Sequence, residues 1–167
     1  MPQKGNEMPD SIGLTSYRLD DPRFTAANRK RLSGPAVRTF LTIAAQWSLT
    51  DDQRRLALGN PPTSTYVEWS DRAVQMQSQT LSVDVLMRIS AILGIYADLR
   101  VLFSDEQQAL RWLRMPNAAT LFAGRSPLDC VTSGIFDELL SMREFLADVA
   151  SGNLSSSPGV IETETRS

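Results

Sequence analysis

The chain has 167 residues, 42% of them hydrophobic and 22% charged, with a net charge of −2; that suits one ordinary globular domain or two small helical ones sharing a core. With no histidine and a single cysteine, Cys130, it lacks the commonest general base and metal ligand and excludes an intramolecular disulfide, in keeping with a reducing cytoplasm. The sequence holds no phosphate-cradling glycine loop, CxxC pair, nucleophile elbow, membrane-length apolar run or secretory leader, so the expectation is a cytoplasmic binding protein with no catalytic residue, metal, cofactor or membrane contact.

Charge is uneven along the chain. Residues 1–48 carry seven basic and four acidic residues, and residues 104–167 carry five basic and nine acidic. The split fits a nucleic-acid or scaffold role at the front and another partner behind, and equally fits ordinary solvated surface.

Residues 1–31 mix Pro2, Pro9 and Pro22 with polar residues and are expected to be a flexible arm, closed by the basic triplet Arg29-Lys30-Arg31. A first helix is expected from Ser33 as N-cap, with Pro35 in its first turn and a buried stripe of Val37, Phe40, Leu41, Ala44 and Trp47. Thr50-Asp51-Asp52-Gln53 is a capping box that starts a second helix, which Gly59-Asn60 ends in left-handed backbone. Pro61-Pro62 forces a turn, after which Thr63-Ser64-Thr65 offers the N-cap of a short third helix carrying Tyr66 and Trp69.

Two short helices across a tight turn, behind a longer amphipathic one, make a helix-turn-helix pattern, whose alternative is a plain helical bundle. If the pattern reads DNA, the third helix offers Thr63, Ser64, Thr65 and Tyr66 to the groove, and Arg54 and Arg55 to phosphate. Glu68 and Asp71 on the same helix oppose tight binding. Residues 32–80 are taken as this helix-turn-helix or dimerisation domain.

Arg72 to Thr80 is polar and leads into the strongest helix, from Ser82 to about Phe103. There Val85, Leu86, Ile89, Ile92, Leu93, Tyr96, Leu99 and Leu102 share one face, with Gly94 permitting a kink or a close crossing. Ser104-Asp105-Glu106-Gln107 reads as another capping box, opening a helix to Arg114. Met115-Pro116-Asn117 breaks it, and Gly124-Arg125-Ser126-Pro127 makes a second turn, so Arg111–Asp129 forms a rigid corner between helices. Ser126 and Pro127 start a short helix to about Ser133. A last helix after Gly134 carries Ile135, Leu139, Met142, Leu146 and Val149, with Phe145 beside them. Residues 81–152 make the second domain, and the Ser/Thr/Glu-rich tail 153–167 is expected to be disordered alone. No stretch alternates with period two for long enough to be a strand, so the fold class is all-α.

The pieces LSVDVLMRISAILGIYADLRVLF and RWLRMPNAATLFAGRSPLD, followed by a helix from Gly134 to Gly152, resemble the toxin-binding domain of the Xre/MbcA/ParS antitoxins. The helix-turn-helix in front is also this family's arrangement, and the resemblance spans roughly residues 33–152. It implies a type II antitoxin that binds and silences a toxin of the RES-domain class, an enzyme that consumes NAD. It also implies a homodimer assembled with that toxin and, for many members, repression of their own operon through operator DNA. A DNA-binding regulator whose C-terminal helices only dimerise it is the alternative.

Under the antitoxin reading, the corner and the last helix cover the toxin's NAD cleft. Trp112, Asn117, Phe122, Gly124, Arg125 and Pro127 are the candidate toxin-binding residues: aromatics anchor interfaces, and an arginine on a fixed turn suits a carboxylate. Each also has a structural role open to it. Trp112 fits a core, Gly124 a backbone conformation and Pro127 a helix start, while Arg125 can pair with Asp129.

Overall fold

The structure is a computed structural model and describes residues 22–153. Among the described residues there are seven α-helices and no strand. The all-α expectation holds.

A 3-10 turn at Pro22–Phe24 leads into α1 (Ala26–Gln46), which starts behind Thr25, whose hydroxyl accepts from the Asn28 N–H. The expected start at Ser33 is therefore too late, and Pro35 lies inside the helix. The helix tolerates it because Pro35 and Arg31, whose carbonyl the missing N–H would have bonded, are both exposed and open to water. Ser33 is fully buried and does no capping. Its hydroxyl donates to the Arg29 carbonyl at 2.6 Å and accepts from the Leu81 N–H at 2.9 Å. Arg29 in turn donates to the Leu81 carbonyl at 2.9 Å. The basic triplet thus belongs to the helix, and one of its members clasps the segment just ahead of the long helix that starts at Val83. Of the arm expected at 1–31, only residues 22–31 are described, and these are ordered into the turn and α1; the remainder, and the tail beyond Asn153, lie outside the described residues.

In α2 (Asp51–Ala57) the capping box forms as expected, with the Thr50 N–H donating to Gln53 Oε1 at 3.0 Å and the Gln53 N–H to Thr50 Oγ1 at 3.2 Å. Gly59 and Asn60 follow with φ of +89° and +58°. α3 (Thr63–Val74) begins at Thr63 itself, behind Pro62 and without a side-chain cap. Thr63, Ser64 and Thr65 occupy its first turn and do not cap it. A proline before the helix pre-sets the extended entry that an Asx or Ser cap would otherwise favour.

α4 (Val83–Leu102), capped by Ser82, is covered on two sides, by α1 and by α7 (Phe136–Ala150). It therefore buries more than one stripe. Arg88, Ala91 and Ile95 are inside along with the expected Val85, Leu86, Ile89, Ile92 and Leu99, while Leu93, Tyr96 and Leu102 are half-buried. α5 (Glu106–Arg114) is capped by Asp105, whose carboxylate accepts from the Gln107 N–H at 3.1 Å. The box expected on Ser104 is corrected by one residue: Asp105 takes the N-cap position and its carboxylate reaches a first-turn donor. After α6 (Pro127–Val131) a turn at Gly134, φ +83°, enters α7. One continuous core runs from Val37 and Phe40 through Ile92 and Ile95 to Met142 and Leu146, so α1 and the C-terminal helices share their interior across residue 80.

Two arginines fasten α4 to its neighbours. Arg143 of α7 lies across Gly94, where a Cβ would sit 1.9 Å from its Nε, and its guanidinium pairs with Asp98 one turn along. Gly94 serves a close crossing of a side chain over the helix; the missing Cβ is the space the arginine uses. Arg88 is nearly buried, with Nε on Asp84 at 3.0 Å, Nη1 on the Gly134 carbonyl at 3.1 Å and its guanidinium 5.1 Å from the Phe136 ring centroid. It joins α4 to the turn before α7. Arg88 and Arg72 each pair with an acid four residues earlier, but the Arg72–Glu68 pair is exposed on both sides. Arg88→Ala is expected to cost about 1.5–3 kcal/mol in urea unfolding, the range for hydrogen bonds to charged groups. Arg72→Ala should cost less than about 1 kcal/mol. Equal effects would mean that Arg88 does not hold the α6–α7 turn.

Candidate partner-binding site

The stretch from Met115 to Ser126 has no helix and is closed at its neck by the backbone. The Asn117 N–H donates to the Arg125 carbonyl at 3.0 Å, and the Gly124 N–H donates to the Asn117 carbonyl at 3.0 Å. Within the loop, Asn117 Oδ1 accepts from the Ala119 N–H at 2.9 Å, a side-chain turn of the type that favours Asn. Ala123 and Gly124 take positive φ, +50° and +81°, and reverse the chain. The segment is thus a compact knob with its ends tied together.

An aromatic relay holds the knob from below. Phe103 lies 5.9 Å from Trp112, Trp112 meets Phe122 edge-on at 5.9 Å, and Phe122 meets Phe145 edge-on at 5.5 Å. Edge-to-face rings at these separations add to the area that each aromatic buries. Phe122 is fully buried and Trp112 nearly so. A short apolar patch inside a polar loop is explained by this: Phe122 is the plug that seats the loop on α5 and α7.

Of the six candidate toxin-binding residues, Trp112, Phe122 and Pro127 are therefore in the interior, and Asn117 is half-buried in the neck. Gly124 and Arg125 are at the surface. Arg125 does not pair with Asp129, whose carboxylate instead accepts the Ser126 N–H at 3.0 Å in a capping box for α6. It reaches across to α7, donating from Nη1 and Nη2 to the two oxygens of Glu138 at 3.2 and 3.1 Å. The bidentate fork fixes the guanidinium plane while leaving the Arg125 side chain 43% exposed. The hydrogen bonds from Arg125, aided by the Ser133 hydroxyl, hold the Glu138 carboxyl below its usual range. Burial pushes the nearby Cys130 thiol up, with Arg125 partly opposing it. Met115, which opens the loop, and Ile135, which precedes α7, are exposed large apolar groups. The sequence pattern placed Ile135 in the buried stripe of the last helix; it stands at the N-cap position, outside the turn where the 3.6-residue period applies.

Residues 98–148 match the family described as the antitoxin Xre/MbcA/ParS C-terminal toxin-binding domain. The match opens at Asp98, takes in the whole aromatic relay, the knob and the Arg125–Glu138 pair, and ends in α7. The chain is also 34% identical over 110 residues to the uncharacterized protein y4oB of Sinorhizobium fredii, an alignment covering 66% of this chain and 80% of that one. This chain belongs to the Xre/MbcA/ParS antitoxin family. No solved structure matches it.

In the front half of the antitoxin, the residues considered for DNA have mostly local duties. Arg54 donates to the Leu49 carbonyl at 3.1 Å. Arg55 donates to the Pro61 carbonyl, to Asn60 and to Asp52 at 3.0, 3.1 and 3.3 Å. Tyr66 is buried, Thr65 is half-buried, and Thr63 and Ser64 are exposed. Arg114, at the end of α5, donates to the carbonyls of Trp47 and Ser48 at 2.7 and 3.2 Å, a cation on the C-cap of α1 and the residue after it. Among the described residues no group of three or more His, Cys, Asp or Glu is placed to hold a metal ion, and no helix is long and apolar enough to cross a membrane.

Glu138 escaped the sequence reading because it is thirteen residues from Arg125, beyond any helical spacing rule. Its role predicts a pH dependence. A carboxyl whose folded value is depressed stabilises the fold above its unfolded value and loses that contribution as pH falls through the folded one. The stability difference between wild type and Glu138→Gln in thermal unfolding should hold steady near neutrality. It should shrink as the pH drops below the ordinary glutamate value of about 4.5. A difference unaffected by acid would mean that the fork contributes nothing to the fold.

Proposed function

We propose that this antitoxin neutralises a NAD-consuming toxin of the RES-domain class by seating the 115–125 knob and the start of α7 over the toxin's NAD cleft. The observation that carries this reading is Arg125: a guanidinium held in a fixed plane at the rim of a rigid knob, inside the segment that matches the toxin-binding domain. A cleft that handles NAD offers carboxylates and carbonyls to such a fork. An exposed ion pair is worth little in water, so Arg125 can exchange Glu138 for a toxin acceptor at small cost. Met115 and Ile135, exposed at the start of the knob and just ahead of α7, offer apolar contact in the same segment. Occlusion needs no chemistry from the antitoxin, only a shape that keeps its form when pressed into the cleft.

The reading extends to the front half as a scaffold for a homodimer. Engagement of Arg54 and Arg55 in the α2–α3 turn, together with Glu68 and Asp71 on α3, favours this over a DNA reader, because phosphate neutralisation needs uncommitted cations.

The test is co-expression with a RES-domain toxin from the neighbouring reading frame. Wild type should restore growth and co-purify with the toxin. Arg125→Glu, whose exposed position spares the core, should retain its circular dichroism and stay folded, with a small drop in melting temperature from the lost fork, while losing tenfold or more in affinity, about 1.4 kcal/mol. Arg125→Lys should fall between, keeping the charge without the fork. Affinity unchanged by Arg125→Glu would remove Arg125 from the interface. A neighbouring frame that is harmless alone would remove the toxin class.

A further inference from the structure

If Arg125 leaves Glu138 for an acceptor on the toxin, the carboxylate it leaves behind needs a partner too. In the free antitoxin the fork occupies both Glu138 oxygens, at 3.2 and 3.1 Å. Turning Arg125 outward removes both bonds at once. A glutamate is ionised at neutral pH. This one also lies in the first turn of α7, whose N-cap residue, Ile135, offers no side-chain cap, so the open backbone N–H groups there favour the charged form.

Two other cations described at α7 are committed elsewhere. Arg88 lies over the Phe136 ring, but it donates to Asp84 and to the Gly134 carbonyl. Arg143, on α7 itself, donates to Asp98. The Glu138 side chain is only 28% exposed in the free chain, and a docked partner covers it further. A carboxylate buried without a counter-charge is costly, so binding favours a partner that brings a cation to this point. A cleft for NAD has one to offer. The dinucleotide's pyrophosphate is itself an anion, the kind of group that arginine and lysine recognise.

We propose that the toxin meets the fork with a charge pair of its own: an acceptor for Arg125 and, beside it, a lysine or arginine of the pyrophosphate site for Glu138. Glu138 is then a partner contact that stands in for the substrate's phosphate, as well as the residue that positions Arg125. The inference rests on the toxin reading and adds to it the charge that the partner carries opposite the start of α7.

A double-mutant cycle on affinity for the toxin separates the two roles. Wild type against Arg125→Ala tests the toxin-facing fork itself, and unchanged affinity at this step would remove the fork from the interface and the proposal with it. Glu138→Gln, isosteric and uncharged, is then added to the Arg125→Ala chain, where no arginine remains to be positioned. With a cation of its own on the toxin, Glu138 should cost about tenfold or more in affinity when neutralised there, circular dichroism being unchanged. The second change should also remove the weakening that inorganic pyrophosphate causes in Arg125→Ala at matched ionic strength. Equal affinity of the single and double variants, after a loss at the first step, would overturn the proposal while leaving the toxin reading in place, because Glu138 would then act only through Arg125. A pyrophosphate effect of the same size in both variants would overturn it as well.

Discussion

A helix that is apolar around most of its circumference must be covered on more than one side, and α4 is such a helix. Val85, Ile89, Ile92, Ile95 and Leu99 are all buried, and α1 and α7 are the elements that cover them. From that requirement the remaining layout follows. α5, the knob and α6 carry the chain from the end of α4 back toward its start, so that α7 runs alongside it in the same direction. Two cations sit where α4 meets its neighbours: Arg88 at the turn before α7 and Arg143 across Gly94. Neither is left as a bare buried charge. Each has a carboxylate of α4 beside it, Asp84 for Arg88 and Asp98 for Arg143, which is what lets a guanidinium lie against an apolar helix without a large desolvation cost.

The knob inherits its rigidity from this core. Phe122 reaches down to Trp112 and Phe145, and Phe145 stands on α7, which α4 holds. The backbone neck between Asn117 and Arg125 ties the ends of the loop, and the Arg125–Glu138 fork ties its rim to α7. A loop fixed at the neck, the plug and the rim loses little conformational freedom on docking, and preorganisation of this sort is the main route by which a small surface binds tightly. That is the physical reason to place partner recognition here. The residues that build the knob and those that can touch a partner are largely different sets: Trp112, Asn117, Phe122 and Pro127 build, while Arg125, Met115 and Ile135 face outward.

Much of this was legible in the sequence where the information is local. The Thr50 and Ser126 caps, the Gly59-Asn60 stop, the span of α4 and the break at Met115 all rest on interactions within four or five residues, and they appear as read. The family resemblance, carried by the order of α4, the knob and the closing helix, was legible too. Illegible were the effects of distant partners. Ser33 looked like an N-cap because its tertiary donor, the Leu81 N–H, lies 48 residues along the chain. Pro35 looked like a helix start because local rules do not know which face will be wet. Phe122 looked like an anchor for a partner because an aromatic in a polar loop reads the same way whether it points in or out. Arg125 was matched to Asp129 by spacing, while the fold gave Asp129 to a cap and Arg125 to Glu138.

The central claim, that the 115–125 knob and the start of α7 form the toxin-facing surface of this antitoxin, is tested most directly by a hydrogen-exchange footprint. The antitoxin would be compared alone and in complex with its co-purified toxin. The account predicts that added protection concentrates in residues 115–125 and 135–142, with α2 and α3 unchanged by the toxin itself. Protection confined to residues 26–74, with the knob exchanging at its free rate, would contradict it.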